Sequence, residues 1–250
     1  MLYLFWKRCE NMISSFNITI IFVALIPSLL FTILLLFLDR KRREPAKYIV
    51  LCLMSFVITV PTSVVLSSIL EIFNILEIEQ FSIFVAGIVE ELAKLLCLVL
   101  FTRKNRHFDD PYDGMIYAAL LSLSFAGFEN ILYIFAQSNF DKMQAIALLR
   151  GVTAVPLHLV CGIIMGYYYG VYKFTKSNQK LKKYKSLAYI LPVIMHTVYN
   201  LFFSNFQIIP DTWNIYLVIL GFMLIIYGIG IYLAKRLANI THLFYKNNGK

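Results

Sequence analysis

Apolar residues fall along this chain in long continuous runs separated by short polar stretches, without the alternation of a half-buried strand. A helix needs about 20 residues to cross the hydrocarbon of a bilayer. Seven runs meet or approach that length: residues 16–38, 48–70, 81–101, 114–135, 145–174, 187–203 and 214–233. Each predicts a transmembrane helix. The fifth run would be about 45 Å long as one helix, so it is expected to tilt or to project into the cytosol. Pro27, Pro61, Pro156 and Pro192 fall inside four of the runs and read as kinks.

Composition removes the alternatives. Of the 250 residues, 60% are hydrophobic and 15% charged, and the mean hydropathy is +0.72. Soluble domains carry roughly 45–50% apolar and about 25% charged residues. A water-soluble fold of this size has too little interior to hide the excess, and disorder needs more charge. The fold class is therefore all-α: a polytopic membrane protein of about seven transmembrane helices, with residues 1–250 forming one transmembrane domain.

Charge then orients the chain. The net charge is +9, from 23 Lys and Arg against 14 Asp and Glu. Eighteen of the 23 follow spans one, three, five and seven, whereas the other side holds Lys7, Arg8 and Lys142. Lys94 and Arg150 lie inside spans. The N-terminus is expected outside, the C-terminus in the cytoplasm, and the protein in the cell membrane. Positives clustered beside apolar runs leave no reason to invoke nucleic acid. A cleavable signal peptide is not expected, because the first run is too long and leads directly into Arg40, Lys41, Arg42 and Arg43. Cys9, Cys52, Cys97 and Cys161 show no CxxC spacing, which argues against a disulfide framework or a zinc ribbon.

The ionisable residues inside the spans carry the chemistry. A charge deep in a membrane helix costs about 2.5–3.5 kcal/mol, so such residues are rare and face an interior cavity. Span three holds Glu90, Glu91 and Lys94, and span four holds Glu129 followed by Asn130. Span five holds Arg150 and His158, and span six holds His196 and Asn200. Helical rise puts Glu90 about 14 Å and Glu129 about 9 Å from the outer ends of their spans. His158 lies about 20 Å in from residue 145, and His196 about 14 Å up from residue 187. The groups converge on one layer, from the midplane into the outer half, so the cavity is expected to open outward. Spacings of four put Glu90 with Lys94, and His196 with Asn200, on common helix faces. GxSxG and HExxH motifs are absent, and Cys97 lies two turns from Glu90, so a serine or cysteine nucleophile is poorly supported.

The ordered set Glu90-Glu91-x-x-Lys94, Phe125-x-x-x-Glu129-Asn130, Pro156-x-His158 and His196-x-x-x-Asn200 resembles the PrsW family of bacterial intramembrane proteases. That family is related to the CAAX prenyl endopeptidases and the bacteriocin-immunity-type membrane proteases. The similarity runs over approximately residues 81–200, the expected protease-like core. It implies site-1 cleavage of a single-pass anti-sigma factor, which starts a cascade that releases a sigma factor. In the CAAX-type relatives the paired glutamates read EExxxR and the Phe-x-x-x motif ends in histidine. Here Lys94 stands one position earlier, Glu129 takes the place of that histidine, and His158 has no obvious counterpart.

Peptide hydrolysis needs an activated water and a stabiliser for the tetrahedral oxyanion. Glu90 is the expected general base, with Glu91 or Lys94 setting its charge state. His196 and Asn200 are expected to donate to the oxyanion, Glu129 and His158 to hold water or substrate, and Asn130 and Arg150 to support them. No cofactor follows from the residues alone. The rival mechanism uses zinc on Glu129, His158 and His196, leaving a fourth position for water. The same residues also read as ion pairs and buried rings that only fix helix packing, or as the relay of a proton-coupled transporter. An inert scaffold is a further alternative. Inverted repeats, the usual mark of a transporter, are not found. Gly162, Gly166 and Gly170 form a small-residue stripe suited to close helix packing.

Overall fold

The computed structural model describes residues 18–39, 44–72, 81–137, 140–175, 178–204 and 213–247. Residues Cys9 and Phe16 and the basic loop at 40–43 lie outside them. Among the described residues there are nine α-helices and no strand. They are α1 (Ile18–Leu38), α2 (Ala46–Leu53), α3 (Phe56–Ile72), α4 (Phe81–Thr102) and α5 (Pro111–Phe135), followed by α6 (Phe140–Val152), α7 (Ala154–Phe174), α8 (Asn178–Ser204) and α9 (Trp213–Asn247). α2 continues into α3, and α6 into α7, across short breaks, so the nine helices make the seven rods that the apolar runs predict. Six rods are long and apolar enough to cross a membrane. The seventh, α4, is 22 residues long but carries Glu90, Glu91 and Lys94.

Two runs are broken where one helix was expected. In the fifth, Pro156 has no N–H to offer the Val152 carbonyl, and its ring crowds that carbonyl. The helix stops at Val152 and restarts at Ala154, with the Thr153 hydroxyl donating to the Leu149 carbonyl at 2.7 Å. The 45 Å tilted helix is thus two shorter ones. In the second, the Ser124 hydroxyl of α5 is inserted at the break. It donates to the Leu53 carbonyl (2.7 Å) and accepts the Phe56 N–H (3.3 Å), so groups freed by the kink are satisfied across the helix interface. α8 begins before its apolar run and α9 continues past its own, at residues 178 and 247 respectively.

α5 and α7 form the centre, and the glycine stripe explains how. A Cβ on Gly166 would overlap the Gly114 carbonyl oxygen, and one on Gly170 the Pro111 carbonyl oxygen. Main chain therefore lies directly on main chain along this seam. α5 starts from a capping box in which Asp110 accepts the Tyr112 and Asp113 N–H groups, while Asp113 accepts the Asp110 N–H. The Tyr245 hydroxyl of α9 donates to the same Asp110 at 2.7 Å. Apolar side chains point outward on the peripheral rods: Ile33 is 63% exposed on α1, as is Leu224 on α9, the inverse of a soluble protein and the condition for contact with lipid.

Candidate active site

Five helices deliver polar side chains to one place. α4 brings Glu90, Glu91 and Lys94; α5 brings Glu129 and Asn130; α6 brings Arg150; α7 brings His158; α8 brings His196. The break at Thr153 separates Arg150 from His158, so the two lie on consecutive helices although only eight residues apart.

The more buried side of the site is an ionic network. Glu91 and Lys94 are fully buried, and Lys94 Nζ donates to Glu91 Oε1 at 2.7 Å. This corrects the expected pairing with Glu90: spacings of three and four both share a helix face, and α4 is rotated so that Glu91 points inward. Glu91 Oε1 also lies 2.8 Å from His196 Nδ1. Lys94 Nζ stands 2.9 Å from His158 Nδ1 and 4.4 Å from the centre of the Phe125 ring. The His158 and His196 rings meet edge-to-face with centroids 4.8 Å apart.

The other side of the site is partly exposed. Glu129 Oε2 accepts from Arg150 Nη2 at 2.9 Å and lies 2.8 Å from His158 Nε2. Arg150 Nε donates to Asn130 Oδ1 (3.0 Å), and Asn130 Nδ2 donates to the Ala24 carbonyl of α1 (3.0 Å). The side chains of Glu90, Glu129 and Arg150 retain 14%, 13% and 11% exposure, so the cluster is not fully enclosed on this side. Glu90 Oε2 lies 3.7 Å from His196 Nε2, beyond hydrogen-bond length, and has no hydrogen-bond partner among the described residues. Glu91 Oε2 is likewise unpartnered. Two orphaned carboxylate oxygens in one buried cluster leave acceptor capacity for a polar partner.

Asn200 is half-buried one turn beyond His196 and has no hydrogen-bond partner among the described residues. Tyr133 was not anticipated. Its ring stacks under the Arg150 guanidinium, 3.7 Å from the ring centre, and its position four residues after Glu129 was the readable signal. Close approach of α4 to α8 also depends on Gly87, where a Cβ would overlap the Thr197 hydroxyl.

The donor chemistry fits a metal. Glu90, His158 and His196 each offer a ligand atom, and these atoms lie within 4.8 Å of one another. Two imidazoles and a carboxylate suit zinc with one position left for water. The carboxylate in this set is Glu90, whereas the sequence suggested Glu129, whose Oε2 is engaged by Arg150 and His158.

Membrane-length helices that gather three carboxylates and two imidazoles about one partly open point are the makings of an intramembrane hydrolase. Comparison with known proteins gives the class a family. The family model described as PrsW family intramembrane metalloprotease matches residues 43–229. Protease PrsW of Clostridioides difficile is 31% identical over 230 residues, covering 90% of this chain and 94% of its own length. Protease PrsW of Oceanobacillus iheyensis is 33% identical over 202 residues, 80% of this chain and 88% of its own length. Protease PrsW of Bacillus subtilis is 30% identical over 156 residues. No solved structure matches the chain. The chain belongs to the PrsW family and is a multi-pass intramembrane protease. That membership sets aside the transporter and inert-scaffold readings.

Proposed function

We propose that this protease cuts a single-pass membrane protein, an anti-sigma factor, at a bond near the outer leaflet, with Glu90 as general base. The observation that carries the reading is Glu90 Oε2, a buried and unpartnered carboxylate oxygen facing His196 Nε2 on a side chain that is itself 14% exposed. A base must have a free oxygen within direct or one-water reach of the chemistry. Water beside Glu90 gives that oxygen a proton as it bonds to the scissile carbonyl carbon, and the proton passes to the leaving nitrogen as the C–N bond breaks.

The neighbours divide the remaining work. Glu91 accepts from both Lys94 and His196, so it holds His196 with its ring proton on Nδ1 and a lone pair on Nε2. A neutral His196 in that state accepts rather than donates, which leaves oxyanion stabilisation to the Asn200 amide, one turn further along α8. Arg150 and Glu129 orient His158 from the other side. A divalent cation held by Glu90, His158 and His196 would supply Lewis-acid polarisation of the carbonyl and a more acidic water. The proximity of those three ligand atoms favours this second reading.

The positive-inside distribution and the outer-half depth of the cluster support cleavage on the outer side, and the PrsW resemblance supports the anti-sigma substrate. Co-expression with candidate single-pass substrates tests the proposal. Wild type is expected to release a shortened product, and Glu90→Ala and His196→Ala are expected to release none. Cleavage that survives Glu90→Ala removes Glu90 as base. Loss of activity with a chelator, restored by zinc, selects the metal reading.

A further inference from the structure

Lys94 is a fully buried charge whose every direction is occupied. Its ammonium meets Glu91 Oε1 at 2.7 Å, His158 Nδ1 at 2.9 Å and the Phe125 ring face at 4.4 Å. An ammonium has donors and no lone pair. His158 Nδ1 must therefore be the accepting nitrogen, and the ring proton sits on Nε2, facing Glu129 Oε2 at 2.8 Å. A doubly protonated His158 would oppose two donors at 2.9 Å. His196 is in the opposite state, because its Nδ1 faces an acceptor carboxylate. Two rings in edge-to-face contact are held as different tautomers by one lysine–glutamate pair.

We infer that Lys94 competes with a divalent transition-metal cation for His158 and so keeps the Glu90–His158–His196 set a weak metal site. A neutral imidazole has a single lone pair. Lys94 holds it, so a cation that recruits His158 must displace the ammonium, whichever ring nitrogen it approaches. Charge acts in the same direction. Removing the Lys94 ammonium takes one positive charge out of a cluster that it shares with three carboxyl groups and Arg150, which favours an incoming cation. The inference rests on the proposed function only through its choice of ligand set.

The test uses full-length protein in detergent, stripped by chelator, then titrated with Co2+ by its d–d absorption and with Zn2+ by competition. Removing a unit charge a few Å from the site is expected to make K94M bind at least about tenfold tighter than wild type. K94R, which keeps the charge and donors, is expected to stay within about threefold of wild type, and adding His158→Ala to K94M to abolish the gain. Folded K94M that binds no tighter than wild type, or K94R that tightens equally, overturns the inference. Should K94M fail to fold, wild type decides alone by 15N-histidine NMR of the metal-free protein. His158 is expected as the Nε2–H tautomer and His196 as Nδ1–H, and His158 observed as Nδ1–H overturns the inference. Neither readout involves a substrate, so a wrong substrate assignment leaves both intact.

Discussion

Glu90 and Glu91 are consecutive in α4 yet sit in opposite surroundings. Glu91 is fully buried, and its Oε1 is shared by Lys94 and His196. Glu90 keeps 14% of its side chain exposed and makes no hydrogen bond to a described residue. The 100° step between helix neighbours puts one into the network and the other at its edge. The two amide substitutions should therefore separate. E90Q is expected to lower cleavage by about 10²–10⁴-fold with an unchanged thermal midpoint. E91Q leaves the Lys94 charge buried without its counter-ion and is expected to cost about 3–5 kcal/mol as well as activity. Thermal unfolding in detergent alongside a cleavage assay reads both, and equal midpoints for the two variants would contradict the division.

Arg150 joins Glu129, Asn130 and the Tyr133 ring. R150M strands Glu129 in a low-dielectric site and is expected to destabilise by about 3–5 kcal/mol. R150K keeps the charge but not the planar fork that meets Glu129 and Asn130 together, so it should fall between R150M and wild type. A lysine variant as unstable as the methionine one would show that the fork, not the charge, matters.

The glycines of α7 and α9 offer a matched contrast. G166A sets a methyl against the Gly114 carbonyl and the Met115 Cα, both main chain, and is expected to cost about 1–3 kcal/mol. At Gly221 and Gly228 a Cβ meets nothing within 4 Å, so alanine there is expected to be neutral or to add up to about 1 kcal/mol. Midpoints of the three single variants check the seam directly.

Glu44, just before α2, lies outside the spans and accepts the Tyr117 hydroxyl, which in turn accepts from Asn105 Nδ2 at 3.0 Å. Burial pushes its carboxyl above the ordinary value, and the Tyr117 bond offsets this only in part. The fold thus favours the protonated form. Its contribution is complete below the unfolded carboxyl value of about 4.3 and is lost as pH rises through the raised one. Relative to E44Q, wild type is expected to lose thermal stability from acid toward neutral pH; parallel pH profiles for the two would refute this.

The rods were legible because continuous apolarity is a property of each segment by itself. The breaks were not. Pro156 was visible, but the run stays apolar enough on both sides of it to read as one span, and the Ser124 hydroxyl that fills the α2–α3 kink comes from another helix. The shared depth of Glu90, Glu129, His158 and His196 followed from counting residues. Azimuth did not, since Lys94 has a same-face spacing to Glu90 and to Glu91 alike. The exchange of Glu129 for Glu90 beside the histidines has the same origin, because only packing decides which carboxylate Arg150 engages.

The ion pair within α4 has a consequence for biogenesis. α4 leaves the ribosome well before α7 and α8, which carry both histidines of the finished cluster. At about 2.5–3.5 kcal/mol for each intramembrane charge, an α4 with three isolated charges would be a poor candidate for membrane insertion. Because Glu91 and Lys94 stand three residues apart on the same helix, they can neutralise each other during translation, before any later segment arrives. The nascent helix then waits in lipid with only Glu90 unmatched, and the residue proposed as the base is the one whose insertion cost the chain must still bear.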